Sequence, residues 1–129
     1  MRLLVDTQLA VWWQIDAQRV PPEVRQLVLE TEGPVYVSRA SLWELAIKFS
    51  LGRLKLDLPQ FCKRVVDDGF EWLDITQEHL LTVARLAVHE DRKDPFDRLL
   101  VAQSLSEPLI LLTADGKLGR YGNTVRVVA

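Results

Sequence analysis

Residues 109–113 read LILLT, a run of Leu and Ile with no polar side chain before its last position. A strand with one wet face alternates apolar and polar residues. A run without alternation fits a strand buried on both faces, the situation of a parallel sheet covered by helices. LILLT is therefore expected at the centre of such a sheet. Four other short segments rich in Val, Ile and Leu read as strands, RLLVD at 2–6, VYVS at 35–38, EWLDI at 71–75 and VRVV at 125–128. Between them, residues 7–15, 21–31, 41–51, 58–68, 77–88 and 95–106 carry amphipathic or capped patterns that predict helices. Strands alternating with helices need crossover connections, so the predicted architecture is α/β: a three-layer α/β/α sandwich with a mostly parallel, roughly five-stranded central sheet. Turn chemistry agrees, with Glu32-Gly33-Pro34 before VYVS, Asp68-Gly69 before EWLDI, and Gly52 ending the helix that starts near Ser41.

The totals bound the rest. The chain has 129 residues, 48% of them hydrophobic, enough for one domain spanning 1–129 to bury a core without disulfides or metal staples. Its single cysteine, Cys62 in FCKRVV, cannot close an internal disulfide or join a zinc cluster, and a buried, inert thiol in a reducing compartment is expected. No apolar stretch approaches the roughly 20 residues of a membrane span, and Asp6 stands where a secretory leader would be apolar, so a cytoplasmic protein is predicted. With 16 basic and 18 acidic residues there is no globally basic surface, and any contact with nucleic acid must come from local clusters.

Ligands of open parallel sheets bind where strands exit into the following helices. Asp6 ends the first strand, Asp115 lies two residues beyond LILLT, and Glu44 sits early in the helix after VYVS. A fourth acid comes from HEDRKDPFDRLLVAQ, where Asp94 reads as the N-cap, Pro95 as the first helical residue and Asp97 as the third. Singly, each carboxylate is explained as a cap or as a partner of the helix dipole. Together they would repel one another unless a cation sat among them, and an all-oxygen set without His or Cys suits Mg²⁺, with Mn²⁺ as a substitute. Such ions activate water against a phosphodiester.

VDTQLAVWW at 5–13, SRASLWELAIKFSLGRLKL at 38–56, DPFDRLLVAQS at 94–104 and LLTADGKL at 111–118 together resemble the PIN-domain ribonucleases, and within them the VapC-type toxins of bacterial toxin–antitoxin modules. The resemblance covers nearly the whole chain, from Met1 to about Tyr121. It implies a PIN-like fold and an RNA-cleaving metal site in which Asp6, Glu44 and Asp97 match the first three acids and Asp115 the fourth, more variable one. Thr7 and Thr113 match polar residues flanking the metal, where a hydroxyl can orient a carboxylate or a bound water. The implied partners are RNA, a small VapB-like antitoxin whose tail covers the acidic site, and a second copy of the chain. The sequence departs from the family at Gln8, where relatives often carry His or Ser. It departs again before the DPFD motif, where Arg92 and Lys93 replace a common upstream His and His89 lies five residues before Asp94. No carboxylate is lost, but a histidine role in substrate handling is placed in doubt.

Arg92, Lys93 and Arg98 bracket the third acid and could hold RNA phosphates, whereas Lys48 is placed equally well as an i,i+4 partner of Glu44. Trp12, Trp13 and Trp43 could stack on bases, although core packing accounts for at least two of them, and for Trp43 burial against the sheet or a partner is expected. His79 and His89 have no metal-ligand or triad spacing, and no GxSxG or glycine-rich phosphate loop is present. Two alternative functions are a noncatalytic interaction module and a structure-specific DNA nuclease. The helical arch with which such a nuclease threads DNA has no room in 129 residues.

Overall fold

Side chains on successive residues of a strand point to opposite faces, and here both faces are covered. The computed structural model describes residues 1–89 and 94–128. Five strands, β1 (Leu3–Val5), β2 (Val35–Ser38), β3 (Glu71–Leu73), β4 (Ile110–Thr113) and β5 (Val125–Val127), form one sheet in the order β3-β2-β1-β4-β5, with every neighbouring pair parallel. Leu3 and Val5 of β1, Val35 and Val37 of β2 and Leu112 of β4 face one layer. There they meet α1 (Thr7–Ile15), α2 (Pro22–Glu30) and α4 (Leu58–Asp67) through Leu9, Val24, Phe61 and Val65. Leu4, Leu111 and Val125 face the opposite layer and pack on Leu99, Leu100 and Val101 of α6 (Pro95–Ser106), flanked by Val83 of α5 (Gln77–Arg85). The remaining helix, α3 (Arg39–Ser50), contributes Ala40 to one cluster and Leu45 to the other.

The predicted sandwich is thus present, with a sheet that is wholly parallel. β4 is flanked on both sides, as LILLT requires, but the central strand is β1. Helix α3 starts at Arg39, before the expected Ser41, because the Ser38 hydroxyl at the end of β2 accepts the Ala40 N–H and caps it directly. Helix α5 ends at Arg85, short of the expected residue 88, where Leu86 turns extended and its N–H returns to the Val83 carbonyl. Two 3₁₀ helices, Ala17–Arg19 and Gly116–Tyr121, had no periodic signal, as such short pieces rarely do. The predicted glycine stops hold: Gly52 and Gly69 adopt φ of 73° and 91°, a region costly to any side chain with a Cβ.

His79 is fully buried and structural. Its Nδ1 accepts the Thr76 N–H while its own N–H returns to the Thr76 hydroxyl, closing a capping box at the start of α5. With Nδ1 accepting, Nε2 lies 2.7 Å from the Glu107 carboxylate and donates to it. Cys62 is half-buried against the core, less enclosed than expected. Of the two places expected for Trp43, the sheet is not taken: the side chain is 53% exposed and meets Phe96 edge-on at 4.9 Å.

The sheet core sets the stability. Leu112→Ala, at a position with no exposed surface, should lower the unfolding free energy by about 2–5 kcal/mol. Leu80→Ala, on a side chain 55% exposed, should change it by less than about 1 kcal/mol. Urea denaturation of the two variants measures the contrast.

Candidate active site

At the carboxyl ends of β1 and β4 the chain turns into helices, and their starts carry the acids. Asp6 follows β1 immediately and is the N-cap of α1. Its Oδ1 accepts the Leu9 N–H at 2.8 Å, and its Oδ2 accepts the Thr113 hydroxyl at 2.6 Å from the end of β4. The Thr113 oxygen in turn accepts the Asp115 N–H at 3.0 Å, so one side chain fixes the first acid and the backbone of the fourth. Asp115 caps the 3₁₀ helix Gly116–Tyr121 by accepting the Lys117 N–H. Asp94 accepts the N–H groups of Phe96 and Asp97 as the N-cap of α6, as expected, and this places Asp97 in the first turn. Glu44 lies on the second turn of α3, slightly farther along the helix than its early position suggested.

Asp6, Glu44, Asp97 and Asp115 all line one cavity of about 430 Å³, together with Thr7, Gln8, Val11, Trp12, Leu45, Lys48, Leu54 and Ala114. Four chain segments far apart in sequence therefore deliver their carboxylates to one space. Among the described residues, however, no three His, Cys, Asp or Glu side chains are gathered tightly enough to grip one ion as they stand. Glu44 shows one reason. Its carboxylate pairs with the Lys48 ammonium at 2.8 Å, an i,i+4 pair on α3 with the acid 13% and the lysine 50% exposed. Exposed pairs of this orientation contribute only about 0.3–0.5 kcal/mol, so the arrangement is easily rearranged.

Asp6 is the acid most affected by its surroundings. Only 7% of it is exposed. Burial pushes its carboxyl from the ordinary 3.8 up to about 6; the Thr113 and Leu9 hydrogen bonds hold it down, while the charges of Glu44 and Asp115 push it further up. The donor chemistry therefore fits a hard divalent cation: every candidate ligand is a carboxylate oxygen, and the central one is strained as an anion without positive charge beside it.

Thr7 lines the cavity, but its hydroxyl donates to Ser41 at 2.8 Å, joining α1 to α3. Arg98 is turned away from the cavity wall, with its guanidinium on the Ala87 carbonyl and the Tyr121 hydroxyl. Arg92 and Lys93 lie outside the described residues. Trp12 forms part of the wall and Trp13 packs edge-on to Phe70, both partly buried against the core. Ser41 and Leu54 were not singled out by sequence reasoning; Ser41 is a buried polar residue inside an apolar helix face, which is its only local signal.

The PIN domain family matches residues 3–123. Ribonuclease VapC22 of Mycobacterium tuberculosis is 29% identical over 125 residues, which span 90% of this chain and 88% of that protein. In structure, VapBC2 from Rickettsia felis bound to a promoter DNA fragment superposes with a TM-score of 0.73 over 100% of both chains at 16% identity. A toxin–antitoxin complex from Klebsiella pneumoniae gives 0.67 over 97% of this chain and 96% of that one at 17% identity. DNA-bound VapBC from Salmonella typhimurium gives 0.64, with 98% and 97% covered, at 18% identity. At those identities the structural likeness concerns the fold alone. The family match spans both ends of the acidic cavity, from Asp6 to Asp115, and on that ground the chain belongs to the PIN-domain family.

Proposed function

We propose that this protein is a Mg²⁺-dependent endoribonuclease, the toxin of a type II toxin–antitoxin pair, working as one domain over residues 1–129. The observation that carries this reading is the convergence of Asp6, Glu44, Asp97 and Asp115 on one cavity, with Asp6 buried. The likeness to a ribonuclease along nearly the full chain supports the choice of RNA as substrate. Asp6, Glu44 and Asp97 would hold the metal, and Asp115 a second ion or its water. When bound, divalent ions supply Lewis-acid activation of water and stabilise the leaving oxygen of a phosphodiester.

The chain's own residues do the positioning. Thr113 holds the Asp6 carboxylate in one orientation, and through its second hydrogen bond it ties Asp115 to the same frame. Asp94 fixes the start of α6 and so the place of Asp97. Thr7, bonded to Ser41, keeps α1 and α3 at constant separation and with them Asp6 and Glu44. Arg92 and Lys93, which precede Asp94 in the sequence, are proposed to bind flanking phosphates.

For partners, a VapB-like antitoxin and a second copy of the chain fit the exposed apolar side chains of α3 and the turn after it, Trp43, Phe49 and Leu51, each at least half exposed. A cytoplasmic location belongs to the same proposal; among the described residues no helix is long and apolar enough to cross a membrane.

RNA cleavage should require Mg²⁺ or Mn²⁺ and stop in EDTA, and Asp97→Asn should reduce it by roughly a hundredfold or more while leaving the fold intact. Full cleavage by folded Asp97→Asn protein would remove the assignment. Expression of the wild-type gene should arrest growth, with relief by the product of a neighbouring gene; silent expression together with no metal affinity would favour the noncatalytic module.

Asp6 gives a pH signature in metal-free protein. Its folded pKa, about 6, lies above the ordinary 3.8, so the folded state binds the extra proton between these values. That contribution to stability is fully present below pH 3.8 and is lost as pH rises through about 6, amounting to about 3 kcal/mol. Asp6→Asn should abolish it. The difference in unfolding free energy between wild type and variant, measured from pH 4 to 7, should therefore move steadily in favour of the variant. Since a metal displaces the same proton, Mn²⁺ affinity should rise with pH across this window.

A further inference from the structure

Lys48 is the only basic residue among the described residues that line the acidic cavity, and it is paired with one of the acids proposed as metal ligands. A positively charged amine 2.8 Å from the Glu44 carboxylate occupies the electrostatic place that a divalent ion would take for that group. It also sits among the carboxylates of Asp6, Glu44, Asp97 and Asp115 on the described wall. Its geometry suits a movable group. The lysine is half exposed on a flexible stem, whereas Asp6 is held by two hydrogen bonds, one from the Thr113 hydroxyl at the end of β4 and one from the Leu9 N–H in α1.

We propose that Lys48 is a resident counter-cation which Glu44 exchanges for the divalent ion, and that the ammonium so released holds a phosphate of the bound RNA. In the metal-free protein the Lys48 ammonium offsets part of the Glu44 charge, the rest of which still bears on Asp6. When Glu44 turns to the metal, Lys48 loses its partner on the same helix, and a phosphate oxygen is the anion that replaces it. The exchange explains why four carboxylates share one cavity without already being gathered into an ion-gripping cluster. This inference rests on the metal-site reading given above, and its role for Lys48 is one of substrate binding.

The test measures Mn²⁺ affinity by calorimetry on the full chain for wild type, Lys48→Met, Glu44→Gln and the double variant, with circular dichroism to verify folding. Giving up so weak a pair is the cost removed, so Mn²⁺ binding should tighten by about twofold in Lys48→Met. The same change made in the Glu44→Gln background should leave Mn²⁺ affinity unchanged, since the competition acts through Glu44. At saturating Mn²⁺ the KM for single-stranded RNA should instead rise in Lys48→Met with kcat little changed, as for loss of a contact made equally in the ground and transition states. Tighter metal together with weaker substrate is the signature; a lysine that only supports the helix would weaken both or neither. An equal Mn²⁺ effect in both backgrounds, no effect, or an unchanged KM overturns the proposal. Should wild type bind no Mn²⁺ and Asp97→Asn be no different from it, the metal reading itself fails and this inference with it.

Discussion

The Thr113 hydroxyl donates to Asp6 at 2.6 Å and accepts from the Asp115 backbone at 3.0 Å, and this short relay ties the ends of two adjacent parallel strands into one site. It is possible only because β1 and β4 pair in parallel with Val5 opposite Leu112, so that the residues just past both strands emerge side by side. An antiparallel pairing would send them to opposite ends of the sheet. The same register leaves Asp6 with a backbone bond to the Leu112 carbonyl and a side-chain bond to the Leu9 N–H, so the carboxylate is held from both the strand and the helix it caps. Burial of a charged group at this point is costly. The parallel sheet, packed on both faces by Leu, Val and Phe, supplies the stability that tolerates it.

Much of this was legible in the sequence because local and global signals agree. LILLT reads as a doubly covered strand and RLLVD as a strand, and they are adjacent interior strands with Leu3, Leu4, Leu111 and Leu112 wholly buried. Asp94-Pro95 announced the start of α6 through an acceptor before a residue lacking an N–H, and the capping bonds to Phe96 and Asp97 are there. Asp6, Glu44 and Asp115 could be placed at strand exits by topology, and Asp97 by the cap motif that opens its helix. What topology does not give is their separation, which depends on helix lengths and loop paths that single-sequence patterns leave free.

Three positions are decided by tertiary neighbours that local patterns do not show. Trp43 lies between Leu42 and Leu45, an apolar setting that suggests burial. Yet Ala40, Ser41 and Leu45 take the inward face of α3, leaving Trp43 outside against Phe96. Thr7 donates to the buried Ser41 hydroxyl, a partner from a segment 34 residues away. His79 gave no functional pattern and has a packing role that no motif announces, since a histidine in place of the usual Glu or Gln closes the capping box.

Two opposite demands meet on α3. As a helix it is stabilised by the Glu44–Lys48 pair, whose orientation complements the helix dipole. As the wall of an acidic cavity it presents Glu44 toward Asp6, whose carboxyl is already pushed upward by that charge. A helix one turn shorter would keep the acid and lose its lysine, leaving the repulsion undiluted. A buried, well-bonded lysine would neutralise Glu44 permanently and close the site to any other cation. The half-exposed pair avoids both outcomes: it is strong enough to favour one rotamer of Glu44 and weak enough, at a few tenths of a kcal/mol, to be given up to a better partner. Rigidity therefore belongs to the strand ends, where Asp6 and Asp115 are fixed, and adjustability to the helix face, where Glu44 is not.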